Sequence, residues 1–481
     1  MRGFLGHPRG LLPLSGLEVW ERFSFLGMQA ILVLYFADSV AGGGMGMASG
    51  TAASVVAAYG TLVYLVSVAG GWLADRILGS YRAVLLGGVL IACGHYTMAV
   101  PYPAATWAGL GLIIVGTGLL KPNVSSMVGK LYATEDKRRD AGFALYYMGI
   151  NVGAFLGPLI AGWLGQKQGW HWGFSAAAVG MTLGVVQYVL GRRDLVGGKQ
   201  AEFALPPAAM RRALWLIGGG LVAVAALAWA LAAAGWLTMS RVVDVCSVVS
   251  VAAPIVYFGV MFRSPRVSRE ERGRLRPYIV LFASSVVFNL VLFQSYSTVT
   301  LLAADHADTE IFGWEFPSTW YNSALGLIEV LVAPVIAGIW LRMGRRQPHA
   351  SNKIAIGVVL GGLAFLVMAW ATAGRTGDHW LMAAWWILAA YVLLGSGDVV
   401  LQSTGMSATT KLAPAAYANQ TMALWMLSIA LANGIQAQTV KLYDVLSNAA
   451  YFGLNGAVTV VLGIAVMAAA PWLRRTMHPV H

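Results

Sequence analysis

Three ionisable residues, Glu18, Glu21 and Arg22, lie at i, i+3 and i+4 inside an apolar run that extends from about residue 14 to about residue 36. That spacing places them on one face of a helix. Gln29, seven residues past Arg22, continues the same face. A charged side chain in hydrocarbon costs roughly 3 kcal/mol or more, so such residues are rarely idle and usually face a cavity or each other. The alternative is a helix end at headgroup depth, where charges are cheap, but a single acidic–basic pair would suffice there.

Other polar residues sit deep in apolar runs and need the same account. Lys121 is followed by Pro122 and Asn123. Proline removes a backbone donor, so it is expected to disturb the helix beside the ammonium. A lysine facing lipid there would have no partner, which points to a cavity wall. Asn151 follows Tyr146 and Tyr147 and serves either a ligand or a neighbouring helix, and Tyr64 has the same two options. Asp398, between Gly397 and Val399, reads as a ligand contact or a proton site, and Glu329 resembles it. Gln294 and Asn289 are uncharged and compatible with a structural role, and His95 reads as a satisfied packing residue. Gly-Gly-Gly at 42–44 and 218–220 is not followed by the Lys-Ser/Thr that phosphate binding needs. The chain presents no constellation expected of an enzyme.

The elements that must position these side chains are membrane helices. Apolar residues make up 58% of the 481 positions and charged ones 11%, against about 25% charged in soluble domains. Runs of about 20 apolar residues, enough to cross a bilayer, recur along the chain. Fourteen are read, at about 14–36, 52–74, 82–100, 105–128, 142–164, 172–190, 213–234, 241–262, 277–304, 318–342, 354–373, 380–409, 416–438 and 450–473. No cleaved signal peptide is expected before the first. Cys93 and Cys246 both lie in apolar runs and imply neither a disulfide framework nor a metal cluster.

The net charge of +12 does not call for nucleic acid. With the N-terminus inside, 26 of the 32 Lys and Arg fall in cytoplasmic segments, six of them between Arg263 and Arg276. This positive-inside bias predicts that both termini are cytoplasmic. The expected organisation is an N-terminal six-helix bundle over 1–190 and a C-terminal six-helix bundle over 277–481. Residues 191–276 hold a linker with Gly197-Gly198 and Pro206-Pro207, two extra spans and the basic loop. The class is all-α integral membrane, with the substrate site of such two-bundle folds near the midplane.

Four motifs then carry a resemblance. Glu18-Val-Trp-Glu21-Arg22-Phe23 with Gly27 is similar to the first-helix signature of the proton-dependent oligopeptide transporters, a branch of the major facilitator superfamily. Gly70-Gly71-Trp72-Leu73-Ala74-Asp75-Arg76 with Gly79 resembles the superfamily's motif between helices two and three. Gly116 to Ser125, through Lys121-Pro122-Asn123, resembles the family's fourth-helix motif. Arg138-Arg139-Asp140 followed by Tyr146-Tyr147 and Asn151 resembles its fifth-helix signature. The resemblance implies a major facilitator fold with 14 transmembrane helices (6 + 2 + 6). It implies a proton-coupled symporter that imports di- or tripeptides, driven by the proton gradient without a cofactor. A monomer in the bacterial cytoplasmic (inner) membrane is expected.

The resemblance also assigns roles. Glu18, Glu21 and Arg22, with Lys121 near them, would form the proton-coupling cluster. Arg22, Gln29, Tyr64, Lys121, Asn151, Asn289, Phe293, Asp398 and Trp425 would contact substrate, with Asp398 receiving a peptide's amino terminus. Glu329 is a candidate additional proton site. The chain departs from the family where Gln29 replaces a second arginine and Phe293 replaces a seventh-helix glutamate. Losing both members of a pair avoids stranding one charge. Asn289, Phe25, Leu26 and Leu325 are further departures. A modified peptide, a peptidic antibiotic or a small organic anion therefore stays open as substrate, as does a non-transporting membrane protein.

Overall fold

The computed structural model describes residues 6–132, 138–195, 205–236, 238–375 and 380–477. Gly197-Gly198 of the linker lie outside the described residues. The first set of helices is α1 (Leu11–Ala37), α2 (Ser49–Leu73), α3 (Ser80–Met98), α4 (Pro103–Lys130), α5 (Arg139–Gln168) and α6 (Trp170–Leu190). α7 (Pro207–Ala233) and α8 (Met239–Arg263) follow. Then come α9 (Arg269–Leu292), α10 (Thr298–His306), α11 (Trp320–Met343), α12 (Ala350–Thr372), α13 (Ala384–Leu412), α14 (Ala418–Thr439), α15 (Asn448–Ala468) and the short α16 (Ala470–Met477). The long helices coincide with the apolar runs, because only helices satisfy backbone polar groups without water. Among the described residues, ten segments are long and apolar enough to cross a membrane. The chain is a multi-pass helical membrane protein.

Two local differences from the sequence reading are informative. The run at 277–304 is not one helix. α9 ends at Leu292, a 3-10 turn spans Phe293–Tyr296, and Ser297 has φ −135° and ψ −94° before α10 begins. Polar side chains take up the disrupted backbone: Ser295 Oγ donates to Leu292 O at 2.6 Å and Thr300 Oγ1 to Ser295 O at 2.7 Å. Conversely, α4 continues through Pro122 without a break. The carbonyl freed four residues earlier belongs to Gly118, which has no side chain to obstruct adjustment and lies against Gly70. Asn123 Nδ2 donates to Leu119 O at 2.6 Å beside it.

Glycines let the helices approach closely, as is common in membranes. Gly149, Gly153 and Gly157 form a stripe on α5 at four-residue spacing, facing α1. A Cβ on Gly153 would lie 2.4 Å from Val19 O and 2.7 Å from Arg22 Cβ, and one on Gly157 2.5 Å from Phe23 O. Gly27 on α1 meets Gly157 O in the same way, at 2.9 Å. This seam fixes the height at which α1 presents Arg22.

The first six helices pack among themselves, as do α9 and α11–α15, while α2 packs on α14 and α5 on α11. Polar contacts between the two sets gather at the ends remote from the chain termini. Gly50 N donates to Asp444 Oδ1 at 2.7 Å, Gln166 Nε2 to Ser318 Oγ at 2.9 Å and Lys167 pairs with Glu315 at 3.0 Å. α4 and α13 have no extended packing against the opposite set. The molecule is thus clasped at its distal end. α8 lies against both α14 and α2, whereas α7 makes no more than isolated contacts with other described elements. Residues 310–315 form a two-stranded hairpin beside the clasp, turning through Phe312 and Gly313, both at positive φ.

The α1–α5 seam yields a paired prediction. Gly153→Val places methyl groups where backbone already lies, and overpacking of this kind costs about 1–3 kcal/mol. The melting temperature of detergent-purified protein should fall clearly for Gly153→Val. It should stay within error for Gly220→Ala on α7, where no atom lies within 4 Å of the added Cβ.

Candidate functional site

α1 carries the charged core of the site. Glu18, Glu21 and Arg22 are all buried. The Arg22 guanidinium forks onto Glu21, with Nε donating to Oε2 and Nη2 to Oε1, each at 2.5 Å. Arg22 Nε also lies 3.7 Å from Glu18 Oε1. A planar fork on a carboxylate is the geometry in which arginine binds most strongly. Glu18 is held from α5, because the Tyr146 hydroxyl donates to its Oε2 at 2.8 Å. Ser125 of α4 lies 3.3 Å from the same hydroxyl. The cluster is therefore a network across α1, α4 and α5.

Lys121 stands beside this network on α4. Its ammonium donates to the Tyr64 hydroxyl at 3.4 Å and lies 4.9 Å from the Tyr64 ring centre and 5.2 Å from that of Phe25. Arg22 covers the same Phe25 ring at 4.9 Å. Such cation–π contacts hold a charge without neutralising it. Among the described residues Lys121 forms no ion pair. It is the cation of this group with positive charge left to offer.

The remaining expected residues divide in two. Phe293, in the 3-10 turn between α9 and α10, meets the edge of Tyr64 at 6.2 Å between ring centres, so the C-terminal set touches the Lys121 corner. Asp398 on α13 and Glu329 on α11 lie close enough to act electrostatically on each other and on Tyr147 of α5. The structure thus sets Lys121, whose charge has no ion-pair partner among the described residues, on one side of the interface and the carboxylates of Asp398 and Glu329, also without one, on the other. Gln29 and Asn151 are buried, and Gln29 Oε1 has no hydrogen-bond partner among the described residues. Asn289 and Trp425 are tightly packed. Asn289 Nδ2 bonds Ser285 O at 2.8 Å, and Trp425 is 1% exposed, its ring filling the space beside Gly405. Gln294 is structural, accepting from Tyr451 OH at 2.7 Å. His95 is a packing residue, fully buried, but neither ring nitrogen has a partner, so it is not a satisfied one.

Sequence reasoning did not assign roles to Tyr146, Ser125, Tyr147 or Tyr296. The Tyr146-Tyr147 doublet directly before the glycine stripe was the available signal, since a residue beside a close-packed seam is positioned with little freedom.

A two-bundle helical membrane protein, clasped at one end and carrying opposed charges at the interface of its bundles, is built as a transporter. The chain belongs to the POT family, whose sequence profile matches residues 81–460. It is 40% identical over 477 residues to the uncharacterized transporter YclF of Bacillus subtilis (strain 168), covering 99% of this chain and 96% of that one. It is 36% identical over 481 residues to the di-/tripeptide transporter of Lactococcus lactis subsp. cremoris, covering 96% and 95%. A crystal structure of a peptide transporter POT in complex with sulfate superposes with a TM-score of 0.95 at 42% identity, covering 99% of this chain and 97% of that one.

The Glu21–Arg22 fork predicts a specific stability pattern. Arg22→Gln leaves Glu21 buried without its partner, and breaking a buried pair from one side costs about 3–5 kcal/mol. Glu21→Gln/Arg22→Gln removes both charges and should recover most of that loss. Thermal melts of the two single variants and the double variant give the cycle. Additive losses would mean that the two residues do not act as a pair.

Proposed function

We propose that this protein is a proton-coupled symporter that imports di- or tripeptides, or solutes shaped like them, by alternating access. The observation that carries this reading is the division of charge across the bundle interface. Among the described residues, Lys121 has no carboxylate ion-pair partner on one side, and the Asp398 Oδ1 atom is buried without a hydrogen-bond partner on the other. A zwitterion presents the complementary pair, a carboxylate for Lys121 and an ammonium for Asp398. The family membership and the di-/tripeptide transporter among its relatives support the same substrate class.

The proton's part follows from the Arg22 fork. Protonation of Glu21 removes the charge that holds both guanidinium bonds, and protonation of Glu18 removes the second attraction, 3.7 Å away. Either event leaves Arg22 with donors to spare, and they join Lys121 in holding an anionic substrate group. Tyr64 orients the Lys121 ammonium, and Tyr146 holds Glu18 in register. The two bundles, 1–190 and 277–481, then rock about the substrate, with the segment 191–276 carried alongside. The distal clasp corresponds to a closed outer mouth, which makes this conformation inward-facing. The protein resides as a monomer in the bacterial inner membrane with both termini cytoplasmic, and it needs no cofactor beyond the proton gradient.

A second reading has one observation in its favour. Phe293 against Tyr64 gives the Lys121 corner an apolar wall, which suits a modified or bulky peptide-like solute better than a small polar one.

The test is uptake of labelled Ala-Ala and Ala-Ala-Ala into proteoliposomes under an inward proton gradient, with a competition panel of modified peptides and small organic anions. Accumulation above equilibrium that an uncoupler abolishes is expected. Equal uptake with and without the gradient contradicts symport, and competition only by non-peptides transfers the assignment to the second reading.

A further inference from the structure

Glu329 has no part in the cycle just described, yet it is poorly placed to be idle. It sits on α11 with its Cγ 3.3 Å from the point where a Cβ on Gly395 would lie, so the missing side chain on α13 gives it room. Gly395 precedes Asp398 by three residues, which puts the two on one face of α13. Both carboxylates act on the Tyr147 hydroxyl, and Tyr147 belongs to the opposite bundle and is 41% exposed. Both also act on Tyr296 in the turn between α9 and α10, as does Arg22 from the opposite bundle. Gly326, three residues before Glu329, lies against Ala154 and Phe155 of α5, so Glu329 stands on the side of α11 that meets the opposite bundle. Among the described residues, neither Glu329 nor Asp398 forms an ion pair with a lysine or arginine. Asp398 is 7% exposed; Gln402 hydrogen-bonds its carboxyl group, and its Oδ1 has no partner among the described residues.

Two carboxylates are thus adjacent with no lysine or arginine paired to either among the described residues, although Arg22 acts on the Tyr296 hydroxyl from the opposite bundle. A substrate with a single ammonium engages one of them, and the second is left either without a counter-charge or protonated. A substrate with two cationic groups close together satisfies both. We propose that Glu329 and Asp398 form an acidic subsite selective for substrates whose amino-terminal residue carries a second, side-chain cation. The proposal rests on the peptide reading and deepens it. The chemical class is a peptide with a basic first residue, or another compound with two amines a side-chain length apart. The position matters: a basic side chain next to the carboxylate end would meet Lys121 and gain nothing.

The experiment is competition against labelled Ala-Ala uptake in proteoliposomes, comparing Lys-Ala, Ala-Lys, norleucyl-Ala and Nε-acetyl-lysyl-Ala in wild type and in Glu329→Gln. In wild type, Lys-Ala should compete about tenfold better than norleucyl-Ala, a preference equivalent to about 1.4 kcal/mol. Nε-acetyl-lysyl-Ala, which keeps the length and loses the charge, should fall to the norleucyl level, and Ala-Lys should show no such gain. In Glu329→Gln the Lys-Ala to norleucyl-Ala ratio should approach one. An unchanged ratio in Glu329→Gln overturns the proposal, and so does equal competition by Lys-Ala and norleucyl-Ala in wild type. If Glu329→Gln does not yield folded protein, the wild-type comparison of charged and acetylated lysine still decides. Uptake of Ala-Ala without lysine preference removes the acidic subsite alone, whereas absence of any peptide uptake removes the peptide reading and this inference with it.

Discussion

A guanidinium buried inside a membrane bundle must be answered by charge, and in this protein it is answered by its own neighbour on the helix. The two 2.5 Å bonds from Arg22 to Glu21 set much of what surrounds them. They require α1 to be enclosed, and the glycine stripe of α5 encloses it. Lys121 forms no ion pair among the described residues and is held by a hydroxyl and two aromatic rings, with Glu18 acting on it only at longer range. The Arg22–Glu21 bonds also make the cluster sensitive to a single proton, because one added to Glu21 removes the charge that both bonds depend on. A buried pair is weak evidence for stability. Its retention beside an unpaired lysine is better understood as a latch.

The latch adjoins the other bundle, since α1 packs against α10 and the 3-10 turn before it. Phe293 meets the Tyr64 ring at the Lys121 corner, and Tyr147 lies within electrostatic range of Asp398 and Glu329. An anion held at Lys121 and a cation held at Asp398 would bridge the bundles. The distal clasp of Gly50, Asp444, Gln166 and Ser318 would have to part for the opposite mouth to open. Those are neutral or surface contacts of modest strength, which suits an element that must form and break in every cycle.

Much of this was legible in the residues. The i, i+3, i+4 spacing of Glu18, Glu21 and Arg22 put them on one face, and the cost of charge in lipid made that face an interior one. Lys121, Tyr64 and the Glu329–Asp398 side were flagged by the same argument. The helices followed from apolar run lengths, because in a bilayer length and composition leave the backbone little choice. What the sequence did not disclose depended on neighbours far along the chain. The break at Phe293–Ser297 needed the hydrogen bonds of Ser295 and Thr300 to be visible. The continuity of α4 through Pro122 needed Gly118 to be seen against Gly70. Tyr146 could be tied to Glu18 only once α5 was docked on α1, 128 positions away in sequence. The deep burial of Trp425 depends on Gly405 in another helix, which run lengths do not reveal.

The central claim is that a proton on Glu21 releases Arg22 and thereby couples the gradient to substrate movement. Its most direct test separates driven uptake from exchange in Glu21→Gln, a substitution that mimics the protonated side chain permanently. Labelled peptide loaded by counterflow, with no gradient, needs the site and the rocking motion but not the proton. Uptake driven by a gradient needs all three. The account predicts that Glu21→Gln keeps counterflow exchange and loses accumulation driven by the proton gradient. Undiminished proton-driven accumulation in Glu21→Gln would contradict it.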